Sequence, residues 1–216
     1  MRPSSTVIHH RGDPTMRLPV IAIATLGIAL MTGTAAAAPA VGKAAPAFTG
    51  TDTTGKTWAL ADLAGTPVIL EWTNHDCPYV VKHYQSGNMQ ALQSEAADAG
   101  YTWLSVISSA PGKQGHVSAE QADQLTASRN AAPTAVLLDP QGDIGKAYGA
   151  RTTPHMFIID AQGTLVYMGG IDDKPTTSLA DVEGAENYVR LAMADLAAGE
   201  PVDKPITRPY GCSVKY

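Results

Sequence analysis

Apolar residues along this chain fall into short blocks set between polar or glycine-containing breaks, and the blocks follow two periods. Pro67–Thr73 (PVILEWT), Tyr101–Ser108 and Thr134–Leu138 are apolar, β-rich runs of strand length. His155–Asp160 (HMFIID) and Thr164–Tyr167 (TLVY) flank Ala161-Gln162-Gly163, which is a hairpin signal. Helical spacing lies between these runs. A helical stretch over Tyr79–Tyr84 follows Cys77-Pro78, and Met89, Leu92 and Ala96 recur at spacings of three and four in Met89–Ala99, which Gly100 stops. Ser118 with Gln121 three residues on predicts a capping box for a helix over 119–130. Asp143–Tyr148 predicts a short helix. Asp181–Ala198 predicts the longest one, with Val182, Tyr188, Val189 and Leu196 on one side and Pro201 ending it. Ahead of these, residues 45–65 read as a β-hairpin with a short helical turn at Leu60–Leu63. The order predicts an α/β fold: a central mixed β-sheet, helices on both faces and an N-terminal β-hairpin. Residues 201–216 carry Pro201, Pro205, Pro209 and Gly211, and predict a mobile tail rather than a helix.

The first residues follow a different pattern. Met16-Arg17 precedes LPVIAIATLGIALMTGTAAAA, an apolar run that ends in small residues. A positive start, an apolar core and an A-x-A-like end are the layout of a secretory signal. The core from Leu18 to Met31 is short for a bilayer span, which needs about 20 residues. Residues 1–38 are therefore expected to be a signal peptide with an N-terminal extension, and 39–200 the folded domain. No stable membrane insertion is expected after cleavage; the rival reading is an uncleaved anchor. The expected location is exported, periplasmic or secreted.

Composition then narrows the chemistry. The 216 residues are 44% hydrophobic, enough for a real core. Fifteen Lys+Arg against twenty Asp+Glu give a net charge of −5, and no basic stripe speaks for nucleic acid. The two cysteines are too few for a disulfide scaffold or an all-cysteine zinc site. In an oxidising compartment such a pair can cycle or persist as a disulfide.

Cys77 falls where a helix starts. There, unpaired N–H groups and a partial positive charge favour the thiolate, which is the attacking species. His75 and His83 would help when protonated, while Asp76 and Glu71 would oppose them. The bland reading is a buried structural cysteine, against which stands the polar Asn74-His75-Asp76 run. Cys212 lies in RPYGCSVKY. It suits a resolving cysteine, a static disulfide or a bond to another subunit. A static bond closing so long a loop would add about 4–5 kcal/mol in the chain-entropy model.

Three stretches together resemble the thioredoxin-fold redoxins, in the peroxiredoxin-like (AhpC/TSA-type) group, with features of exported thioredoxin-like proteins. They are Pro46-x-Phe48 with Asp52-x-x-Gly55-Lys56 and the strand ending Glu71-Trp72; Cys77-Pro78 at a strand-to-helix junction; and Thr153-Pro154 followed by Met156–Asp160. The resemblance spans about 46–200 and implies a thioredoxin-like three-layer fold. It also implies Cys77 as redox nucleophile, Cys212 as resolving partner, and Thr153, a cis Pro154, Trp72 and Tyr79 lining the substrate site. Asn74, His75 and Arg151 are supporting candidates. This sequence departs from the group's pattern. Val80 replaces the second cysteine of Cys-x-x-Cys, Asn74 stands where peroxiredoxins have Thr or Ser, and Pro154 stands where they have arginine.

The expected function is thiol-dependent oxidoreduction without a cofactor, acting on a peroxide as an antioxidant or on a protein disulfide, with an unidentified thiol as electron donor. The contrasting reading is a redox-inactive binding module or copper carrier on the same fold. For the latter His75, Cys77, His83, His155 and Cys212 are the available ligands, His83 being expected on a helix surface. Their spacing matches no metal motif.

Overall fold

The computed structural model describes residues 1, 3–9, 12 and 38–216; the expected signal peptide lies mostly outside the described residues. Residues 38–216 belong to one compact unit. Its strands are β1 (Thr49–Asp52), β2 (Thr57–Ala59), β3 (Val68–Trp72), β4 (Thr102–Ile107), β5 (Ala135–Leu138), β6 (Thr152–Thr153), β7 (His155–Ile159), β8 (Leu165–Gly169) and β9 (Cys212–Ser213). Its helices are α1 (Pro78–Gln85), α2 (Asn88–Asp98), α3 (Ala119–Ser128), α4 (Asp143–Ala147) and α5 (Tyr188–Ala197), with 3-10 turns at Leu60–Leu63 and Leu179–Asp181. Seven strands form one sheet in the order β2-β1-β5-β4-β3-β7-β8, and β6 pairs with β9 apart from it. Strands β3, β4 and β5 are parallel, whereas β1, β2, β7 and β8 make antiparallel pairs. The sheet is mixed, as the sequence predicts.

Side chains alternate across a strand, so the apolar runs feed two cores. Ile69, Trp103, Met156, Ile158 and Tyr167 face the layer containing α1, α2 and α5, where Val80, Met89, Leu92, Val189 and Ala192 are buried. Val68, Leu70, Trp72, Leu104, Leu137 and Phe157 face the opposite layer, with Ile144 of α4 and Leu60 and Leu63 of the 3-10 turn. Helix α3 covers Val136 and Ile107 through Ala122 and Leu125. Its capping box is present: the Ser118 hydroxyl accepts from Gln121 N–H at 3.2 Å and Gln121 Oε1 accepts from Ser118 N–H at 2.8 Å.

Three expectations are corrected. The helix expected over Asp181–Ala198 begins only at Tyr188, so α2, with 11 residues, exceeds α5, with 10. Asn187 is extended, bridges to Asp172 and caps α5 through its side chain, which accepts from Arg190 N–H at 3.0 Å. Asp173 takes the Glu186 N–H at 2.8 Å, so the preceding residues serve a loop and not a helix. His83 is fully buried rather than on a surface. The final residues are not a free appendage. Met168 N–H donates to Pro205 C=O and Thr207 N–H to Met168 C=O, running the chain along β8. Beyond β9, Val214 N–H donates to Arg151 C=O at 3.0 Å and Tyr216 Oη–H to Ala150 C=O at 2.8 Å. These hydrogen bonds dock the proline-rich end against β8 and β6.

Candidate active site

The parallel strand β3 delivers the chain to the start of α1 through the turn Thr73–Asp76. Asn74 builds that turn. It is buried, its carbonyl accepts from Cys77 N–H at 3.1 Å, and its side-chain oxygen accepts from Asp76 N–H at 2.9 Å. Cys77 is the N-cap of α1 and Pro78 its first residue, where a missing N–H costs nothing. Cys77 is fully buried.

Two segments close on its sulfur. One is the cis Thr153–Pro154 peptide before β7, whose Thr153 carbonyl accepts from Cys77 Sγ at 3.0 Å. The other is β9, which pairs antiparallel with β6 in the register Thr153↔Cys212, so that Cys212 N–H points at Cys77 Sγ from 3.3 Å. Both cysteines are free thiols. Gly211 permits this approach: a Cβ there would lie 2.0 Å from the Thr153 carbonyl oxygen, and its φ is +137°.

The two thiols titrate in opposite directions. Burial pushes the Cys77 thiol up, but hydrogen bonds from the Cys212 and Thr153 side chains and the Val80 and Cys212 N–H groups outweigh it, leaving Cys77 below the ordinary thiol range. Cys212 is pushed up to about 12, by burial first and then by its hydrogen bond to Cys77 and the Cys77 charge. Of the two, Cys77 is therefore the thiol that gives up its proton more readily and Cys212 the one that keeps it.

The other sequence-derived candidates divide. Thr153, Pro154, Asn74 and Cys212 converge on Cys77. Tyr79 sits two residues into the same helix turn and packs edge-on against Tyr210, centroids 5.7 Å apart. Trp72 does not join them. It shares the face of Val68 and Leu70, is fully buried beside Tyr148 and Phe157, and its indole donates to Ser108 Oγ at 3.0 Å. His75 pairs with Asp76 at 3.3 Å. Arg151 has an exposed side chain and holds the tail through its carbonyl; its charge and, foremost, burial depress His155 to about 3. Among the described residues no three His, Cys, Asp or Glu side chains are grouped to hold a metal ion, and no helix is long and apolar enough to cross a membrane.

A cluster that gives no sequence signal lies beside the pair. Tyr210, Asp172, Lys82 and His83 are all buried and meet at one phenol oxygen. Only the place of Tyr210, two residues before Cys212, ties it to the site in the sequence.

The AhpC/TSA family model matches residues 41–168, more than half of the chain. The chain belongs to the AhpC/TSA family. Among solved structures, this AhpC/TSA protein is similar to a hypothetical protein from Sinorhizobium meliloti, with 22% identity, TM-score 0.69, and 83% of this chain and 96% of the other covered. An uncharacterized conserved protein from Geobacillus kaustophilus is similar at 24% identity and TM-score 0.69, with 82% and 92% covered. These likenesses establish the thioredoxin-like fold. No curated protein was found to match the chain.

Proposed function

We propose that this AhpC/TSA protein is an exported thiol-dependent reductase in which Cys77 is the nucleophile and Cys212 resolves the oxidised intermediate. The observation that carries this reading is the contact of Cys212 with Cys77 Sγ, in which one thiol is driven towards the anion and the other keeps its proton. With a peroxide, the Cys77 thiolate attacks one oxygen, the O–O bond breaks and Cys77 becomes a sulfenic acid while water or an alcohol leaves. Cys212 then attacks the Cys77 sulfur, losing its proton, and water departs as the Cys77–Cys212 disulfide forms. With a protein disulfide, Cys77 displaces one substrate thiolate to give a mixed disulfide, and Cys212 displaces the other. Both routes consume two electrons from the cysteine pair and end in the same bond. An external dithiol restores it.

Family membership favours the peroxide. The edge of Thr152–Thr153 favours an extended polypeptide, since β9 already adds to it as a strand. Either substrate reaches the buried sulfur only when β9 lifts, and β9 is joined by two residue pairs. An open cleft of about 470 Å³ beside this pair, lined in part by Thr152, Tyr188, Arg208 and Gly211, gives room for that movement.

Turnover of Cys77→Ser and Cys212→Ser with hydrogen peroxide and with an oxidised peptide tests the assignment. Cys77→Ser is expected to be inactive with both. Cys212→Ser is expected to react once and stop, as a sulfenic acid or a mixed disulfide. Full activity of Cys77→Ser removes the proposal.

A further inference from the structure

The phenol oxygen of Tyr210 uses all of its hydrogen-bonding capacity. It donates its one proton to Asp172 Oδ1, and it accepts from Lys82 Nζ at 3.3 Å and from His83 Nε2 at 3.0 Å. Because that proton goes to Asp172, His83 Nε2 has to be the donor. Its Nδ1 then accepts from Asn88 Nδ2 at 2.9 Å, giving a neutral, satisfied imidazole. Lys82 donates also to the Lys174 carbonyl at 2.8 Å, and Asp172 Oδ1 also accepts from Lys174 N–H at 2.9 Å. Asp172 Oδ2 has no hydrogen-bond partner and faces Lys82 and His83 at 3.9 Å each. Replacing buried ion pairs by well-packed apolar residues is often neutral or stabilising, so a cluster of this kind is weak evidence for stability alone.

The placement of the cluster suggests its use. Lys82, His83 and Tyr79, which packs on the Tyr210 ring, all lie on α1, the helix whose N-cap is Cys77. Tyr210 precedes Cys212 by two residues, and both pack into the core that holds Cys77 and Val80 of α1. Docking the phenol on one part of α1 therefore sets Cys212 against the other.

We propose that Tyr210, held by Asp172, Lys82 and His83, is a positioning residue that keeps Cys212 on Cys77 and raises its effective concentration for resolution. The proposal rests on the resolving role given to Cys212 above. Tyr210→Phe keeps the ring against Tyr79 and removes three hydrogen bonds, two of them to charged groups. The tail then spends most of its time away from Cys77.

The test follows the full chain through a stoichiometric hydrogen peroxide pulse, with sulfenic acid trapping for the first step and linked-peptide mapping for the second. It also includes the equilibrium of the pair with glutathione. In Tyr210→Phe the loss of the Cys77 thiol is expected at the wild-type rate or faster. Disulfide formation is expected to be at least about tenfold slower, because a hydrogen bond to a charged group is worth that factor or more. The equilibrium constant for the disulfide is expected to fall by about tenfold, which is about 30 mV towards more oxidising potential. A merely structural tyrosine would lower stability and leave this potential unchanged. Wild-type disulfide formation and potential in Tyr210→Phe overturn the positioning role alone. Absence of the Cys77–Cys212 bond in the wild-type protein overturns the resolving role and the positioning role together. If Tyr210→Phe does not fold, Asp172→Asn, which keeps the acceptor and removes the charge, is judged on the same potential. A shift in the same direction supports the proposal and an unchanged value overturns it.

Discussion

Replacing Gly211 by alanine adds one methyl group at the tightest point of the site. The new Cβ would lie 2.0 Å from Thr153 O, 2.7 Å from Thr153 C and 3.2 Å from Pro154 N. Carbon–oxygen contacts between neighbouring strands settle near about 3.3–3.6 Å, so the tail must retreat by more than about 1 Å. The obstructing atoms are backbone and cannot swing aside. Holding alanine at φ +137° would cost about a further 1–3 kcal/mol. Leaving the site costs the β6–β9 pairing, the Val214 N–H bond to Arg151 and the Cys212 N–H bond to the Cys77 sulfur. At about 1 kcal/mol for each hydrogen bond, the contacts at stake total about 3 kcal/mol or somewhat more. The seven-stranded sheet does not depend on them, so Gly211→Ala is expected to stay folded with its tail released. Hydrogen exchange reads this directly. The Cys212 and Val214 amides should lose protection while those of β3, β4 and β7 keep theirs, and the Cys77–Cys212 disulfide should form more than about tenfold more slowly. Wild-type protection at Cys212 in this variant would refute the close approach of the tail to Thr153.

Other consequences are simpler to check. Because the folded-state value of Cys77 is depressed, its contribution to stability is fully present above the ordinary thiol value of about 8.5 and is lost as pH falls through the folded value. Cys212 works in the opposite sense: its contribution is present below the ordinary value and is lost as pH rises towards about 12. Thiolate absorbance against pH should therefore show one sulfur ionising more readily than an ordinary thiol, and Cys77→Ala should bring Cys212 down from about 12, since it removes both the hydrogen bond and the charge. A Cys212 that titrates identically in Cys77→Ala would contradict the coupling. Ser118→Ala should lower stability by about 1 kcal/mol in urea unfolding, through loss of the α3 cap, and leave the reactivity of Cys77 unchanged.

Parts of this architecture were legible in the chain because local rules decide them. The runs around β3, β4 and β7 are continuous apolar segments because both faces of the central strands are covered. Ser118 and Gln121 announce the start of α3 because a capping box involves only neighbours in sequence. Cys77 is readable as a helix N-cap because Pro78 suits the first helical position. What local rules do not reach is placement across the fold. Period two assigns Trp72 to the face of Val68 and Leu70, but which face α1 covers depends on how the chain crosses the sheet, and Trp72 lands opposite Cys77. The helical periodicity that starts at Val182 is overridden by Asp172 and Asp173, which engage residues 186–187 from across a loop. The end of the chain reads as a tail because prolines block regular structure. Its strand is two residues long and exists only through the partner that β6 supplies. Tyr210, Lys82, His83 and Asp172 look like ordinary solvated positions until three separate segments bring them together.

The central claim is that Cys77 and Cys212 of one chain form a working redox pair. Peptide mapping with intact mass, after one equivalent of hydrogen peroxide or of an oxidised peptide, tests it most directly. The predicted result is a monomer lighter by two hydrogens, with both thiols lost together and the Cys77 peptide linked to the Cys212 peptide. Two thiols that survive the oxidant, or a Cys77 that oxidises while Cys212 stays free, would contradict it.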